Sequence, residues 1–183
     1  MYKRPLLILL LGSSLLAQET PQNIIDTGEK VSQALIKKLG SQLKHEMQTK
    51  GPLSAAKFCN IKAPVLTEEI NLHQLEGTSV KRISLKVRNP KNIPDSEEKE
   101  VLLSMQKLLE KNELPAYIIT QKANSYKYYK PLIIKKPVCL ACHGDISKNT
   151  ELNSFIKESY PQDKATGYKM NELRGAILVD IKP

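Results

Sequence analysis

Ala116-Tyr117-Ile118-Ile119-Thr120 and Tyr126-Lys127-Tyr128-Tyr129-Lys130 stand on either side of Ala123-Asn124-Ser125. Two short runs rich in β-branched and aromatic residues around such a turn read as paired strands. Pro131-Leu132-Ile133-Ile134 carries the chain onward. Arg174-Gly175-Ala176-Ile177-Leu178-Val179-Asp180-Ile181 reads as a last strand. Upstream, Val80 to Val87 alternates apolar and polar residues from Ile83 onward, the period of another strand. Arg88-Asn89-Pro90-Lys91-Asn92-Ile93-Pro94 is a turn-rich connector. Asp95 with Glu98 three residues on opens a helix expected over 96–111. Its apolar face carries Val101, Leu102, Met105, Leu108 and Leu109. A short helix is expected over 151–159.

The N-terminal part is helical in pattern. Ile24, Val31, Leu35, Leu39, Leu43 and Met47 lie mostly four apart, with Lys30, Lys37 and Lys44 off that stripe. Gly51-Pro52 ends this helix. Its plain reading is an amphipathic helix packed on the core. The sharper alternative is a dimer through that helix, although no strict heptads run along it. Leu53 to Cys59 reads as a second short helix, broken by Asn60-Ile61-Lys62-Ala63-Pro64. A third short helix is expected over 66–76, stopped by Gly77. The sum is an α+β fold, with N-terminal helices before an antiparallel sheet and one long crossing helix.

The chain has 183 residues, a length that suits one domain with a sizeable core. Forty per cent apolar and 26% charged residues exclude collagen-like, low-complexity and wholly disordered classes. Three cysteines are too few for a disulfide scaffold. With no tryptophan and two phenylalanines, aliphatic residues and some of the seven tyrosines must fill the core. Lys3 and Arg4, then the apolar run Leu6–Leu11, then Gly12-Ser13-Ser14-Leu15-Leu16-Ala17 read as a signal peptide over 1–17. Leu15 is a poor residue before a cleavage site, so an uncleaved membrane anchor is the alternative. The run is short for a spanning helix. Losing Lys3 and Arg4 takes the formal charge from +9 to +7. Export to the periplasm makes nucleic acid an unsuitable partner for that basic balance, and asks of every cysteine why it is there.

Cys139-Leu140-Ala141-Cys142-His143 is C-x-x-C-H, the spacing of covalent c-type haem attachment. Two thiols on one helical turn can each add to a haem vinyl group, and the adjacent imidazole then reaches the iron. A thioredoxin-like pair would sit near a βαβ pattern, which is lacking here. A zinc site would need further ligands, and Cys59, His45 and His73 are isolated in sequence. A plain Cys139–Cys142 disulfide is the third alternative. One motif implies one haem. His143 takes one axial position, and His45, His73, Met47, Met105, Met170 and Cys59 are the candidates for the other. Methionine would raise the potential, a thiolate would lower it, and an open position would suit ligand binding or peroxidase-like chemistry. Cys59 is the cysteine without a partner, either a ligand or reactive thiol or an inert buried residue beside Phe58.

The stretch from about Ala55 to Ile181 resembles a bacterial family of exported single-haem proteins with a PAS-like fold. The matching pieces begin with Cys59, Ala63-Pro64, Val80-Lys81-Arg82 and Val87 to Pro94. Tyr129-Lys130-Pro131, the Cys139–Gly144 motif, Tyr160-Pro161, Asp163 to Tyr168 and Arg174-Gly175-Ala176 complete them in order. The resemblance implies a PAS-like antiparallel sheet flanked by helices, spanning 52–183 after an N-terminal helix over 18–51. It also implies that the iron is held by His143 and Cys59. Arg82, Arg88 and Arg174 are then candidates to meet the haem propionates. Lys122, Lys127, Lys130, Lys135 and Lys136 precede the motif and suit an acidic redox partner. The resulting expectation is a periplasmic, non-enzymatic redox or small-ligand sensor that signals through a protein partner. An electron-transfer cytochrome is the alternative, with a haem enzyme using His45 or His73 as a third.

Overall fold

Four strands and four helices are described by the structure, a computed structural model, over residues 20–183. The segment read as a signal peptide lies outside the described residues. The strands are β1 (Thr78–Ile83), β2 (Ile118–Lys122), β3 (Ser125–Ile133) and β4 (Leu173–Ile181). They form one antiparallel sheet in the order β1-β4-β3-β2. This agrees with the expected PAS-like α+β class. The hairpin turns at Ala123 and Asn124, with Ala123 at positive φ. β4 runs through the sheet interior, so both of its edges are paired.

The sheet has two unlike faces because side chains alternate along each strand. Val80, Tyr126, Tyr128, Ile177, Val179 and Ile181 face helix α1 (Gln22–Leu72). Ile83, Tyr129, Ala176 and Leu178 face the other way, onto Leu102 and Met105 of α2 (Ser96–Glu110). α2 starts as expected. Asp95 accepts from the Glu98 backbone N–H at 2.8 Å, and the Glu98 carboxylate accepts from Asp95 N–H at 3.1 Å. Glu98 is buried, and Lys81 and Lys127 each approach it, at 2.9 and 3.1 Å. A buried carboxylate needs such partners.

α1 departs from expectation. It breaks at Gly51, whose φ of 81° is open to glycine, and Pro52 restarts it. The predicted break at Asn60–Pro64 does not occur, and the helix runs through Pro64 to Leu72. Pro64 removes one backbone donor and disfavours a helix interior by about 3 kcal/mol. Packing offsets this: Phe58, Cys59, Ala63, Leu66 and Ile70 all lie against the α1-side core. The third helix expected over 66–76 is therefore the end of α1, and Gly77 sits in the turn that follows. The first part of α1 belongs to the same core through Ile24, Val31, Leu35 and Leu39. Gly28 there lies so close to Tyr128 that an added Cβ would come within 2.2 Å of the ring. Glu29 beside it accepts hydrogen bonds from Tyr128 Oη and, at 2.7 Å, from Lys130 Nζ. These hold its carboxyl below the ordinary range.

β1 also differs, ending at Ile83 rather than reaching Val87. Beyond it, Ser84 donates from its hydroxyl to the Arg174 carbonyl at 2.7 Å, which turns the chain off the ladder. Among the described residues no helix is long and apolar enough to cross a membrane.

Two predictions follow from this packing. Gly28→Ala overfills the helix–sheet contact and should cost about 2–3 kcal/mol in thermal unfolding. Gly40→Ala, exposed and with open space around it, should instead gain about 0.5–1 kcal/mol. The second prediction concerns the α2 cap. Hydrogen bonding by the Glu98 backbone, with Lys127 beside it, holds the Asp95 carboxyl at about 2. Its contribution is therefore complete above the unfolded value of about 4 and is lost as pH falls through 2. Asp95→Ala should cost about 1 kcal/mol at neutral pH, and the gap to the parent should close as chemical denaturation is repeated down to pH 2.

Candidate functional site

The C-x-x-C-H motif forms α3 (Pro137–His143), a short helix entered through Pro137. The helical turn puts Cys139 and Cys142 on neighbouring sides of one element. All three cysteines stand as free thiols in the structure. Cys139 and Leu140 rest against Ile134, Ala165 and Tyr168. Cys142 rests against Ala56 of α1 and against Ile146, Leu152 and Ile156. The last two belong to α4 (Thr150–Ser159). Cys142 Sγ lies 3.8 Å from the Pro52 carbonyl, just past the α1 break. Burial pushes its thiol up to about 11.

The end of α3 is sewn to the segment 163–168. Tyr168 N–H donates to the His143 carbonyl at 2.9 Å, and Gly167 N–H donates to Gly144 at 3.0 Å. His143 Nδ1 lies 2.8 Å from the Ala165 carbonyl oxygen. That oxygen only accepts, so Nδ1 carries the proton and Nε2 keeps its lone pair. Burial, with Arg174 and Arg88 nearby, pushes the imidazole down to about 3, so it is neutral at physiological pH. The Tyr168 ring meets it edge-on with centroids 6.1 Å apart. A neutral, oriented imidazole with a free Nε2 is the donor that a metal or haem iron takes.

Arg88 holds this arrangement. Its guanidinium pairs with Asp163 at 3.0 Å and donates to the carbonyls of Cys142 at 2.9 Å and Ala165 at 3.3 Å. Both side chains of the ion pair are about nine-tenths buried. Arg174 donates to Ser84 Oγ at 2.6 Å and to the Lys86 carbonyl at 3.2 Å, and it lies over the Tyr168 ring. Lys86 covers the same ring at 4.2 Å. Arg82 of β1 has no hydrogen bond or ion pair among the described residues.

Cys59 reaches the site from α1. It is half-buried against the α1-side core, within charge range of Cys142, Tyr160 and the three arginines. Burial raises its thiol, and Arg82, Arg88 and Arg174 offset part of that rise. The structure thus brings Cys59 within charge range of Cys142, and Cys142 shares the short helix α3 with Cys139 and His143. The other candidate ligands are placed differently. Met105 is buried on the opposite face of the sheet. His73 caps the end of α1 and bonds its own helix at the Glu69 carbonyl. His45 and Met170 are exposed. Among the described residues no three His, Cys, Asp or Glu side chains cluster as metal ligands, which leaves the zinc alternative without a ligand set.

Some site residues escaped the sequence reading. Asp163, Ala165 and Tyr168 lie within a segment that matched the family, but nothing local marks their roles. The lysine cluster dissolves in part. Lys122, Lys127 and Lys130 pair with Glu97, with Asp95 and Glu98, and with Glu29, while Lys135 and Lys136 remain exposed.

The Arg88–Asp163 pair yields a prediction. Removing one member leaves the other buried without a counter-charge. Arg88→Ala should therefore cost about 3–5 kcal/mol in denaturant unfolding, and Arg88→Lys should recover only part of it, because the fork to two carbonyls is lost.

Comparison with known proteins agrees with this architecture. Among solved structures, the chain is similar to the one described as the crystal structure of the cyanobacterial heme-protein Tll0287. Identity is 27%, the TM-score is 0.62, and the alignment covers 90% of this chain and 97% of that one. No curated protein matches. A family model described as Tll0287-like matches residues 16–182. That match spans both the α1 cysteine and the α3 motif, and it bears out the family resemblance: the chain belongs to the Tll0287-like family.

Proposed function

We propose that this chain is an exported, periplasmic mono-haem protein. Haem c is joined to Cys139 and Cys142, His143 and Cys59 take the axial positions, and the role is redox or small-ligand sensing rather than enzymatic turnover. The observation that carries this reading is the state of His143. It is neutral, its Nδ1 proton is committed to Ala165, and its Nε2 lone pair is free, on the same helical turn as the two attachment thiols. The similarity to a structure described as a haem protein supports it. So does the arrival of Cys59 from a separate element.

Haem, held by Cys139, Cys142, His143 and Cys59, would supply a one-electron iron couple. The protein's residues do the rest. Ala165 fixes the imidazole tautomer. Arg88 ties the Cys142 carbonyl to the 163–165 segment and so holds the end of α3 against it. α1 presents Cys59 independently of α3. Cys59 could therefore move without any change in the α3 peptide, an arrangement suited to a switch. The burial that raises the Cys59 thiol works against its charged form. Such a switch reports through a redox or signalling protein partner. A second reading, an electron-transfer cytochrome, is favoured by one observation: Lys135 and Lys136 are exposed immediately before α3, where a positive rim would draw an acidic carrier.

The test is the absorption spectrum of the mature protein, made with haem-maturation machinery, in ferric and dithionite-reduced forms. The parent should show a low-spin ferric spectrum with thiolate features that change on reduction. Cys59→Ser should lose those features and keep the covalent haem. An unchanged ferric spectrum in Cys59→Ser overturns the ligand assignment. A methionine-type band stable through reduction selects the electron carrier.

A further inference from the structure

Of the three arginines around the site, two are used up by the fold. Arg88 is committed to Asp163 and two carbonyls, and Arg174 to Ser84, Lys86 and the Tyr168 ring. Arg82 has no hydrogen bond or ion pair among the described residues, although it is only half-exposed and sits on the α1 face of β1 beside the core that holds Cys59. A guanidinium taken from water without a partner is costly, and buried charges are ordinarily paired.

Arg82 also lines a groove of about 310 Å³ between the second part of α1, the free edge of β1 and the Pro90–Asn92 turn. Two neighbouring amides have their carbonyl oxygens already committed. Asn71 uses its carbonyl oxygen on Val80 N–H at 2.7 Å, and Asn89 uses its own on Lys91 N–H at 3.0 Å. Each therefore keeps an NH2 group to give. Thr67 donates to the Ala63 carbonyl, which leaves its oxygen the weaker participant. Lys81 also lines the groove, but its ammonium is taken by Glu98. Exposed Glu68 and half-buried Asp180, the latter accepting from Ser125, place negative charge along the same groove. The positive charges left for a ligand are thus the half-buried Arg82 guanidinium and the ammonium of exposed Lys91, set against those two carboxylates. A planar monoanion meets that geometry with two parallel hydrogen bonds. A phosphate dianion would meet the repulsion of the two carboxylates more strongly than a monoanion does.

We propose that the Arg82 end of this groove is a carboxylate-binding subsite, filled either by a propionate of the haem or by a free small carboxylate entering along the β1 edge. The first source rests on the haem reading above, and the second does not.

Arg82→Gln and Arg82→Lys separate the sources. The first arm records the carboxylate bands of the haem propionates by redox-difference infrared spectroscopy on the haem-loaded protein. The second titrates isotope-labelled acetate onto the same protein by saturation-transfer NMR. If the haem fills the subsite, Arg82→Gln shifts a propionate band, Arg82→Lys moves it back toward the parent, and acetate does not bind. If a free carboxylate fills it, the parent binds acetate saturably, Arg82→Gln weakens binding about tenfold or more, and Arg82→Lys recovers part of it. Either pattern supports the subsite. Unmoved propionate bands together with no acetate binding overturn it. A preparation that carries no haem contradicts the haem reading alone, and the acetate arm is then read on the full chain as expressed. If Arg82→Gln does not fold, Arg82→Lys, which keeps the charge and loses the fork, is compared directly with the parent.

Discussion

The Ala165 carbonyl oxygen receives the His143 Nδ1 proton at 2.8 Å and an Arg88 proton at 3.3 Å. Much of the site depends on that meeting. α3 is only seven residues long, and none of its residues is fully buried. A helix so short does not hold itself. It is held from outside, by the 163–168 segment along one side and by Pro52, Ala56 and α4 along the other. Arg88 joins these supports to the sheet side of the molecule, and its ion pair with Asp163 holds it in place. The imidazole orientation is therefore set by groups far away in sequence, before any cofactor is considered. Second-partner hydrogen bonds of this kind are what fix a ligating histidine.

The two faces of the sheet divide the labour. On the α2 face, the capping box, the buried Glu98 and its lysines make a network that serves stability. On the other face α1 covers the sheet in two segments. Its first segment closes the hydrophobic core through the tight Gly28–Tyr128 contact. Its second segment, beyond Gly51, presents Cys59 to the site. One break at a positive-φ glycine thus lets a single 51-residue element act both as a wall of the core and as a carrier of the candidate ligand. A continuous straight helix would send the second segment in the direction of the first, away from the crossing that seats Cys59.

The sequence made the strands and α2 legible because their signals are local. Alternation marks β3, a near-continuous apolar run marks β4, and Asp95-x-x-Glu98 marks the start of α2. It misplaced the second segment of α1, because Pro64 is local punctuation while the packing of Ala63, Leu66 and Ile70 is long-range. The spacing of Ala56, Cys59, Ala63, Leu66 and Ile70 is itself a helical stripe, a signal that a proline-led reading passes over. It extended β1 to Val87 for the opposite reason: alternation continues past the residue where Ser84 bonds to Arg174, 90 positions away. The site was legible at α3, where the chemistry needs a contiguous motif. The grouping of Cys59 with that motif came only from the family resemblance. Arg88 with Asp163 is separated by 75 positions, and no spacing rule pairs them. The five lysines before the motif looked like one patch, yet alternate strand positions sent three of them to separate carboxylates.

The central claim is that the fold presents Cys139, Cys142 and His143 as a preset attachment point for one haem. The most direct measurement is the intact mass of the mature protein made with haem-maturation machinery, followed by peptide mapping of α3. The account predicts a gain of one haem mass, carried wholly by the peptide that contains Cys139 and Cys142 and lost when both are changed to Ser. Unmodified thiols on that peptide, or a Cys139–Cys142 disulfide, would contradict it.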